Sequence, residues 1–410
     1  MASFAYEPLK KLFYKDASSD RFAANAALTQ QRLRAEGTFR TGIMLGDDEL
    51  FLATPRELSL ASERVLQRER EIERLWSALP HVACGALLRS LILDEVQSSN
   101  DIEGVHSTRR EIQAALDAAR TGSVPHVPYL EFARLYLNLT EGRTECPERV
   151  EDIRAVYDSV VEGAVEAADM PDGRVFRKGP VCITDGMKSV HEGVMPESRI
   201  ELMMGQMISL ASSPLMPSLY SALLSHLVFE YVHPFYDGNG RTGRYLLSLY
   251  LARVLSLPTV LSISRTIAED KRRYYRAFAG VQHPMNHAEG TFFVLDMLVM
   301  VEAAQETLVS ELQEKGCRLE AVLAAVERAR REAGLSGKAG ELLVLAAELE
   351  VFSADGLIWV PDAQRHLLCS ESTARRYLHE LEATGYLELV GKRPLSYRLS
   401  ARAREAAALP

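Results

Sequence analysis

The chain has 410 residues, 47% hydrophobic and 25% charged, with a net charge of −9 at pH 7, which is enough for two or three domains with cores of their own and excludes a protein that coats nucleic acid, so any such contact must be a local basic patch. Five cysteines, Cys84, Cys146, Cys182, Cys317 and Cys369, are odd in number, scattered and nowhere at metal-ligand spacing, which predicts reduced thiols and a cytoplasmic protein. No stretch reaches the ~18 uncharged apolar residues of a membrane span, and the opening MASFAYEPLKKLFY lacks a signal-peptide core.

Residues 1–53 are mixed, with 42–45 and 49–53 readable as short strands or as loop. Thr54 as N-cap and Pro55 at the first helical position open a helix to about Leu79, whose many charges form a solvated face. A second helix, about Val82 to Ile102, ends in Ser98-Ser-Asn-Asp-Ile-Glu-Gly104, where Gly104 is a C-cap and Glu103 reads by itself as a solvated carboxylate. Thr108-Arg-Arg-Glu111 is a capping box that starts a third helix. After a linker at 121–128 come further helices to about 168, a turn at Met170–Gly173, an alternating stretch Arg174–Ile183 and a hairpin signal at Thr184-Asp185-Gly186. Ser198–Ala211 is amphipathic, and Pro217–Val232 is apolar enough to be a buried helix. A helix at Arg241–Leu255, another at Ile267–Phe278 carrying Tyr274 and Tyr275, and a pair at Phe292–Leu312 and Arg318–Glu332 flanking Gly316 follow, then a linker at Ala333–Gly340. The tail reads as helix Glu341–Glu350, strand Gly356–Pro361, helices Asp362–Leu368 and Glu371–Thr384 with Ser370 as N-cap, and two strands flanking Gly391-Lys-Arg-Pro394. This tail resembles a winged helix-turn-helix. Its basic positions are Arg375, Arg376, Lys392 and Arg393, but Gly356–Arg404 holds eight Lys/Arg against five Asp/Glu, short of what DNA readers carry.

The densest chemistry lies between two apolar runs, in His233-Pro-Phe-Tyr-Asp-Gly-Asn-Gly-Arg-Thr-Gly-Arg244. Gly238 and Gly240 permit the φ > 0 backbone that an anion nest needs, and a helix starting near Arg241 turns its positive end to the loop. Asp237 beside them suits a hard metal, and His233 suits proton transfer. The bland alternative, a capped turn with solvated arginines, would not need all of these within twelve residues.

The stretch matches every specified position of the HxFx[DE]GNGRxxR signature and resembles the Fic (filamentation induced by cAMP) family. The resemblance implies a mostly α protein: a Fic helical core with a small β-hairpin flap, followed here by the winged helix-turn-helix. Domains are expected at 1–125 (helical, with an inhibitory helix), 126–312 (catalytic), 313–340 (helical linker) and 341–410. It also implies an AMP transferase using ATP and Mg²⁺, with a Ser, Thr or Tyr hydroxyl of a target protein, or of the chain itself, as acceptor. His233 would be the base and Asp237 the metal ligand. Gly238, Asn239 and Gly240 would form the nest, Arg241 and Arg244 would grip the β- and γ-phosphates, and Phe235 would anchor the loop. Tyr274 and Tyr275, with Gln282, occupy the place of residues near the adenine. The hairpin would be the flap, holding a target segment by strand addition. Ser99-x-x-x-Glu103-Gly104 resembles the family's inhibitory motif, with Glu103 taking Arg244 away from the γ-phosphate. Gly240 stands where Doc-type kinases have a lysine and argues against that chemistry. Transfer of another nucleotide or of phosphocholine, removal of AMP, and a DNA-binding regulator with a Fic sensor are the competing readings. A homodimer is compatible with the family, and DNA is the less favoured partner of the tail.

Overall fold

The computed structural model describes residues 6–121, 127–185, 188–392 and 395–406. The middle of the expected 121–128 linker, Gly186 of the hairpin turn, and Arg393 and Pro394 of the wing turn lie outside the described residues. The chain is mostly helical with three small sheets and packs as two compact units, residues 1–69 with 92–305, and residues 70–91 with 306–410. No helix among the described residues is long and apolar enough to cross a membrane.

The elements run in the order α1 (Leu9–Lys15), α2 (Arg21–Leu33), β1 (Thr38–Leu45), β2 (Asp48–Ala53), α3 (Arg56–Ser77), α4 (His81–Ile102), α5 (Arg109–Thr121), α6 (Leu130–Thr140), α7 (Val150–Val161), β3 (Cys182–Asp185), β4 (Lys188–Glu192), α8 (Glu197–Ala211), α9 (Ser218–Val232), α10 (Asn239–Leu251), α11 (Leu257–Val260), α12 (Ile263–Glu269), α13 (Lys271–Gln282) and α14 (Thr291–Ala333). The tail continues as α15 (Gly337–Phe352), β5 (Ile358–Trp359), α16 (Val360–Leu367), α17 (Glu371–Ala383), β6 (Leu387–Lys392), β7 (Leu395–Leu399) and α18 (Ala401–Ala406), with sheet order β5-β7-β6.

In the first unit α9 is the central rod. Leu223, Leu224, Leu227, Val228 and Val232 are fully buried, as an all-round apolar helix must be. It packs between α8 and α10. His226 ties it to two neighbours: its Nδ1–H donates to the Gly243 carbonyl (3.1 Å), and its Nε2 accepts from the Tyr274 hydroxyl (2.7 Å). Burial pushes His226 down to about 3, so it stays neutral and keeps this tautomer.

Several expectations hold in detail. The capping box is present, with Glu111 Oε2 accepting from the Thr108 N–H (2.8 Å) and Thr108 Oγ1 from the Glu111 N–H (3.3 Å). Gly104 is left-handed (φ 72°), and the Val105 N–H closes back on the Asn100 carbonyl. Others differ. The Thr54 hydroxyl donates to the Gly37 carbonyl instead of capping α3. The 42–45 and 49–53 segments are strands, paired as an antiparallel hairpin. The helix expected through Ile267–Phe278 breaks at Asp270, whose carboxylate caps α13 through the Arg273 N–H. The helix pair around Gly316 is one helix. Gly316 costs about 1 kcal/mol there, and the buried Leu308, Leu312, Leu319 and Val322 on either side outweigh it. Of the alternating stretch only Cys182 and Ile183 are strand, as the start of β3.

A buried ion pair ties the first fifty residues to the later chain, beside the hydrogen bonds of Lys10 and Asn25 to Asn286 and Met285. Arg32 Nη1 meets Glu289 Oε2 at 2.6 Å, its Nη2 donates to the Glu7 carbonyl, and it lies over the Tyr6 ring, whose hydroxyl donates to Glu289 Oε1. Arg32→Ala strands the Glu289 carboxylate and should cost about 3–5 kcal/mol. Arg32→Met with Glu289→Leu should recover most of the loss. Urea unfolding of the three proteins checks both, and equal midpoints for wild type and Arg32→Ala would refute the assignment.

Candidate active site

The site is built where α9 stops. Its last residue before the turn, His233, sits in the left-handed region (φ 52°, ψ 63°) with its N–H still bonded to the Phe229 carbonyl. A non-glycine residue there costs of order 1–3 kcal/mol and persists only if its surroundings enforce it. Enforcement comes from both sides. Phe235 is fully buried, stacked on Tyr157 (centroids 3.7 Å apart) and beside Phe176. Asn239 bridges the loop: its Oδ1 accepts from the Phe235 N–H (2.9 Å) and its Nδ2 donates to the Phe235 carbonyl (2.8 Å). Phe235 and Asn239 therefore shape the loop. Gly238 is left-handed (φ 78°), and a Cβ there would press on Val161 and Tyr157. The Asp237 carboxylate accepts from the Gly238 N–H (2.6 Å) and is otherwise open to solvent.

Three charged side chains converge on the start of α10. Arg244 is fully engaged by the end of α4: Nε donates to Ser99 Oγ (3.0 Å), Nη2 to the Ser99 carbonyl (2.8 Å), and Nη1 to Glu103 Oε1 (2.8 Å). Burial pushes the Glu103 carboxyl up, but the Arg244 charge and hydrogen bond, with Arg241 and His233 behind them, hold it below the usual carboxylate range. A Cβ built on Gly240 would run into this carboxylate. Arg241, one turn earlier, is the opposite case. Only 1% exposed, it has no hydrogen bond to Nε, Nη1 or Nη2 among the described residues, and its Nη2 makes a long ion pair with Asp237 Oδ2, 3.7 Å away. A buried guanidinium with no hydrogen bond is costly. Beside a left-handed Gly238 and the first-turn N–H groups of a thirteen-residue helix, it describes a seat for a polyanion.

Two titratable groups complete the site. Burial first, and then the Arg177 charge, push His233 down to about 4, so its imidazole is neutral at physiological pH. Burial pushes Glu230 up to about 8, against the pull of Arg244, so it is protonated there and does not neutralise the arginines.

The structure thus brings together His233, Asp237, Gly238, Asn239, Gly240, Arg241, Arg244, Ser99 and Glu103. Gly104 ends α4 just beyond them. The tyrosine pair divides: Tyr274 is 2% exposed and bonded to His226 as a core residue, while Tyr275 is half-exposed with its hydroxyl pushed to about 12 by burial and by the Glu103 charge. Among the described residues no three His, Cys, Asp or Glu side chains cluster as a metal cage. Asp237 alone fits a magnesium ion that takes its remaining ligands from phosphates and water. Sequence reasoning missed Arg177 and Glu230. A lone acid inside the apolar run Leu223–Val232 was a usable signal for Glu230.

Residues 147–251 match the family model described as "Fic/DOC family". Over 242 residues the chain is 24% identical to a protein adenylyltransferase Fic from Nematostella vectensis, an alignment spanning 56% of this chain and 53%, about half, of that protein. Among solved structures, a Fic family protein from Desulfovibrio desulfuricans G20 aligns with TM-score 0.48 at 20% identity, covering 82% of this chain and 96% of that one. Fic-1 from C. elegans aligns with TM-score 0.44 at 17% identity, covering 75% and 81%.

The two arginines make different predictions for binding of inorganic tripolyphosphate, measured by calorimetry without any reaction. Arg241→Ala should weaken it at least tenfold, about 1.4 kcal/mol. Arg244→Ala should matter little while Glu103 is present, and should cost a similar factor in a Glu103→Gly background, because the arginine is then free. Equal effects of Arg244→Ala in both backgrounds would show that Glu103 does not compete with phosphate.

Proposed function

We propose that this chain, whose residues 147–251 are a Fic-family domain, is a protein adenylyltransferase that moves AMP from ATP to a hydroxyl of a target protein and is restrained by its own Glu103. The observation that carries the reading is the buried Arg241 guanidinium, with no hydrogen bond among the described residues, beside a neutral His233, with Arg244 one turn on held by a displaceable carboxylate. Arg241 and the first-turn N–H groups of α10 bind the phosphate chain and hold the α-phosphorus in line for attack. His233 accepts the proton of the target hydroxyl as its oxygen bonds to the α-phosphorus; the bond to the bridging oxygen breaks, and pyrophosphate leaves. Asp237 would hold Mg²⁺, which when bound supplies charge neutralisation on the phosphates.

Glu103 restrains the reaction in two ways. It occupies the Arg244 guanidinium that would otherwise orient the terminal phosphate, and it puts a negative charge above Gly240 where phosphate charge belongs. The same crowding above Gly240 leaves no space for a longer side chain there, which supports transfer of AMP over Doc-type phosphate transfer.

For the tail we propose a winged helix that contacts proteins. Its α16, α17 and the β6–β7 ribbon follow the order such a module takes, and its arginines are largely spoken for: Arg365 by Asp362, Arg375 by Glu371, Arg398 by Glu388, and Arg404 by Glu350. Cations already paired to carboxylates make a poor phosphate-gripping stripe.

With α-labelled ATP, Mg²⁺ and lysate, Glu103→Gly should raise labelling at least tenfold, about 1.4 kcal/mol in the barrier. Adding Arg244→Ala should cancel the gain. The adduct mass should be that of AMP; a different mass would replace this reading by transfer of another group.

His233→Ala in the Glu103→Gly background should abolish labelling while leaving ATP affinity within about twofold, since a base acts on the acceptor and not on the nucleotide. Substantial single-turnover labelling by that protein would sink the assigned role. Because His233 is neutral down to about pH 4, the activity of the Glu103→Gly protein should be flat from pH 5 to pH 7.

A further inference from the structure

Arg177 lies outside the signature, in the irregular stretch before β3, and it is one of the largest fully buried side chains in the protein. No carboxylate pairs with it among the described residues. Its guanidinium spends its donors on four backbone carbonyls: Nε on His233 (2.8 Å), Nη1 on Gly179 (2.7 Å), and Nη2 on Val194 (3.0 Å) and Val232 (3.3 Å). Gly179 lies just before β3 and Val194 just after β4, at the base of the hairpin, and Val232 and His233 are the end of α9. The main chain repeats the connection, with the Arg177 N–H on the Pro234 carbonyl (3.2 Å), the Val194 N–H on the Val232 carbonyl (3.0 Å) and the Gly193 N–H on the Val181 carbonyl (3.0 Å). One cation therefore sits at the joint between both legs of the hairpin and the turn that presents the imidazole.

We propose that Arg177 is a positioning residue for the transfer reaction, a four-carbonyl clamp that locks the left-handed turn at His233 to the base of the β3–β4 hairpin, so that the hairpin and the imidazole hold one fixed relation. The proposal rests on the adenylyl-transfer reading given above.

The chemistry asks for arginine at this position. The last carbonyls of α9 have no helical partners and carry the negative end of its dipole, and a cation satisfies both. Only a planar fork with five N–H groups reaches carbonyls on three segments at once; a lysine ammonium is a point with three donors, and a glutamine offers two. The turn also needs enforcement, because His233 would otherwise relax from φ 52°. The clamp has a second consequence for the imidazole. After burial, the Arg177 charge is the next cause holding His233 neutral, helped by His191 on β4 and opposed by the Glu103 carboxylate. Glu230, one turn back on α9, is itself held protonated by burial and adds no opposing charge. Crowding around the clamp is tight: a Cβ on Gly193 would run into Arg177 Nη2 and Val181.

The test uses the full-length Glu103→Gly protein. Arg177→Gln and Arg177→Lys should each lower kcat for labelling at least tenfold with ATP affinity within about twofold, the split expected when an aligned group is lost and nucleotide binding is not. The two variants should separate in the His233 imidazole titration followed by NMR. Arg177→Gln should raise it above the parent's, with burial, the larger cause, still holding it below the ordinary value of about 6.5, so the acid limb of its activity moves up in pH, whereas Arg177→Lys keeps the charge and leaves the titration low. A folded Arg177→Gln protein with unchanged kcat and unchanged titration overturns the proposal. So does a kcat loss that tracks a proportional loss of ATP binding and melting temperature. If Arg177→Gln does not fold, Gly193→Ala displaces the guanidinium without removing it and should give the same kcat loss at unchanged ATP affinity; normal kcat there is equally fatal. If the parent labels no acceptor at all, the transfer reading has failed. The titration shift in Arg177→Gln, or its absence, still decides whether the clamp controls the imidazole.

Discussion

The Arg244 guanidinium sets the state in which this site is found. It is buried on α10, where an arginine must find anions or carbonyls, and it takes all of its partners from the last turn of α4. That single choice fixes several others. It pins α4 against the start of α10 and brings the Glu103 carboxylate over Gly240. Arg241, one turn earlier on the same helix, has no hydrogen bond among the described residues and only Asp237 as a distant ion-pair partner. An occupied clasp next to an empty seat is a bistable arrangement in miniature: any polyanion that fills the seat competes for the clasp. The Ser99 contacts make the competition graded, because two of the three bonds go to a neutral hydroxyl and a carbonyl and can persist after the carboxylate leaves.

Much of this was legible in the residues, for a physical reason. The signature packs its chemistry into twelve consecutive positions, so sequence neighbours are also spatial neighbours. Gly238, Asn239 and Gly240 could be read as a nest because the conformations involved are local. Glu103 could be read only through resemblance, since its partner is 141 positions away and nothing in a solvated-looking helix end announces it. Arg177 shows the limit. Its partners are backbone carbonyls, which every residue has, so no side-chain pattern points to them. Tyr274 shows another: a tyrosine on an amphipathic helix looks alike whether its hydroxyl meets a ligand or, as here, a buried imidazole.

The fold around the site was legible by period and blurred at its edges. The apolar run of α9 required a buried helix and became one. The helix through Ile267–Phe278 broke because the Asp270 carboxylate had a better use as a cap, and the expected break at Gly316 did not occur because flanking leucines and Val322 bury the same face on both sides of it. In each case tertiary burial or a local hydrogen bond of about 1 kcal/mol decided against a propensity of similar size. The first fifty residues were opaque because what orders them is an ion pair with Glu289, far along the chain.

Three buried guanidiniums, Arg177, Arg244 and Arg241, solve one problem in three ways. Arg177 is satisfied by carbonyls that cannot leave, and so it is architecture. Arg244 is satisfied partly by a side-chain carboxylate that can swing away, and so its charge is on loan. Arg241 has no hydrogen bond among the described residues and only a long ion pair with Asp237, and its desolvation is a standing cost to the folded chain. Such a cost is tolerable where an anion in solution can relieve it, because whatever binds the native state alone also stabilises it by mass action. On the proposed reading, the group that shapes the imidazole is held by backbone, and the groups that would meet phosphate are the ones left without hydrogen bonds or held by a side chain that can move. On the proposed reading, a carboxylate at Glu103 would restrain such a site more effectively than an apolar plug of the same size. It fills space above Gly240, and it also cancels the charge that draws the competing anion in.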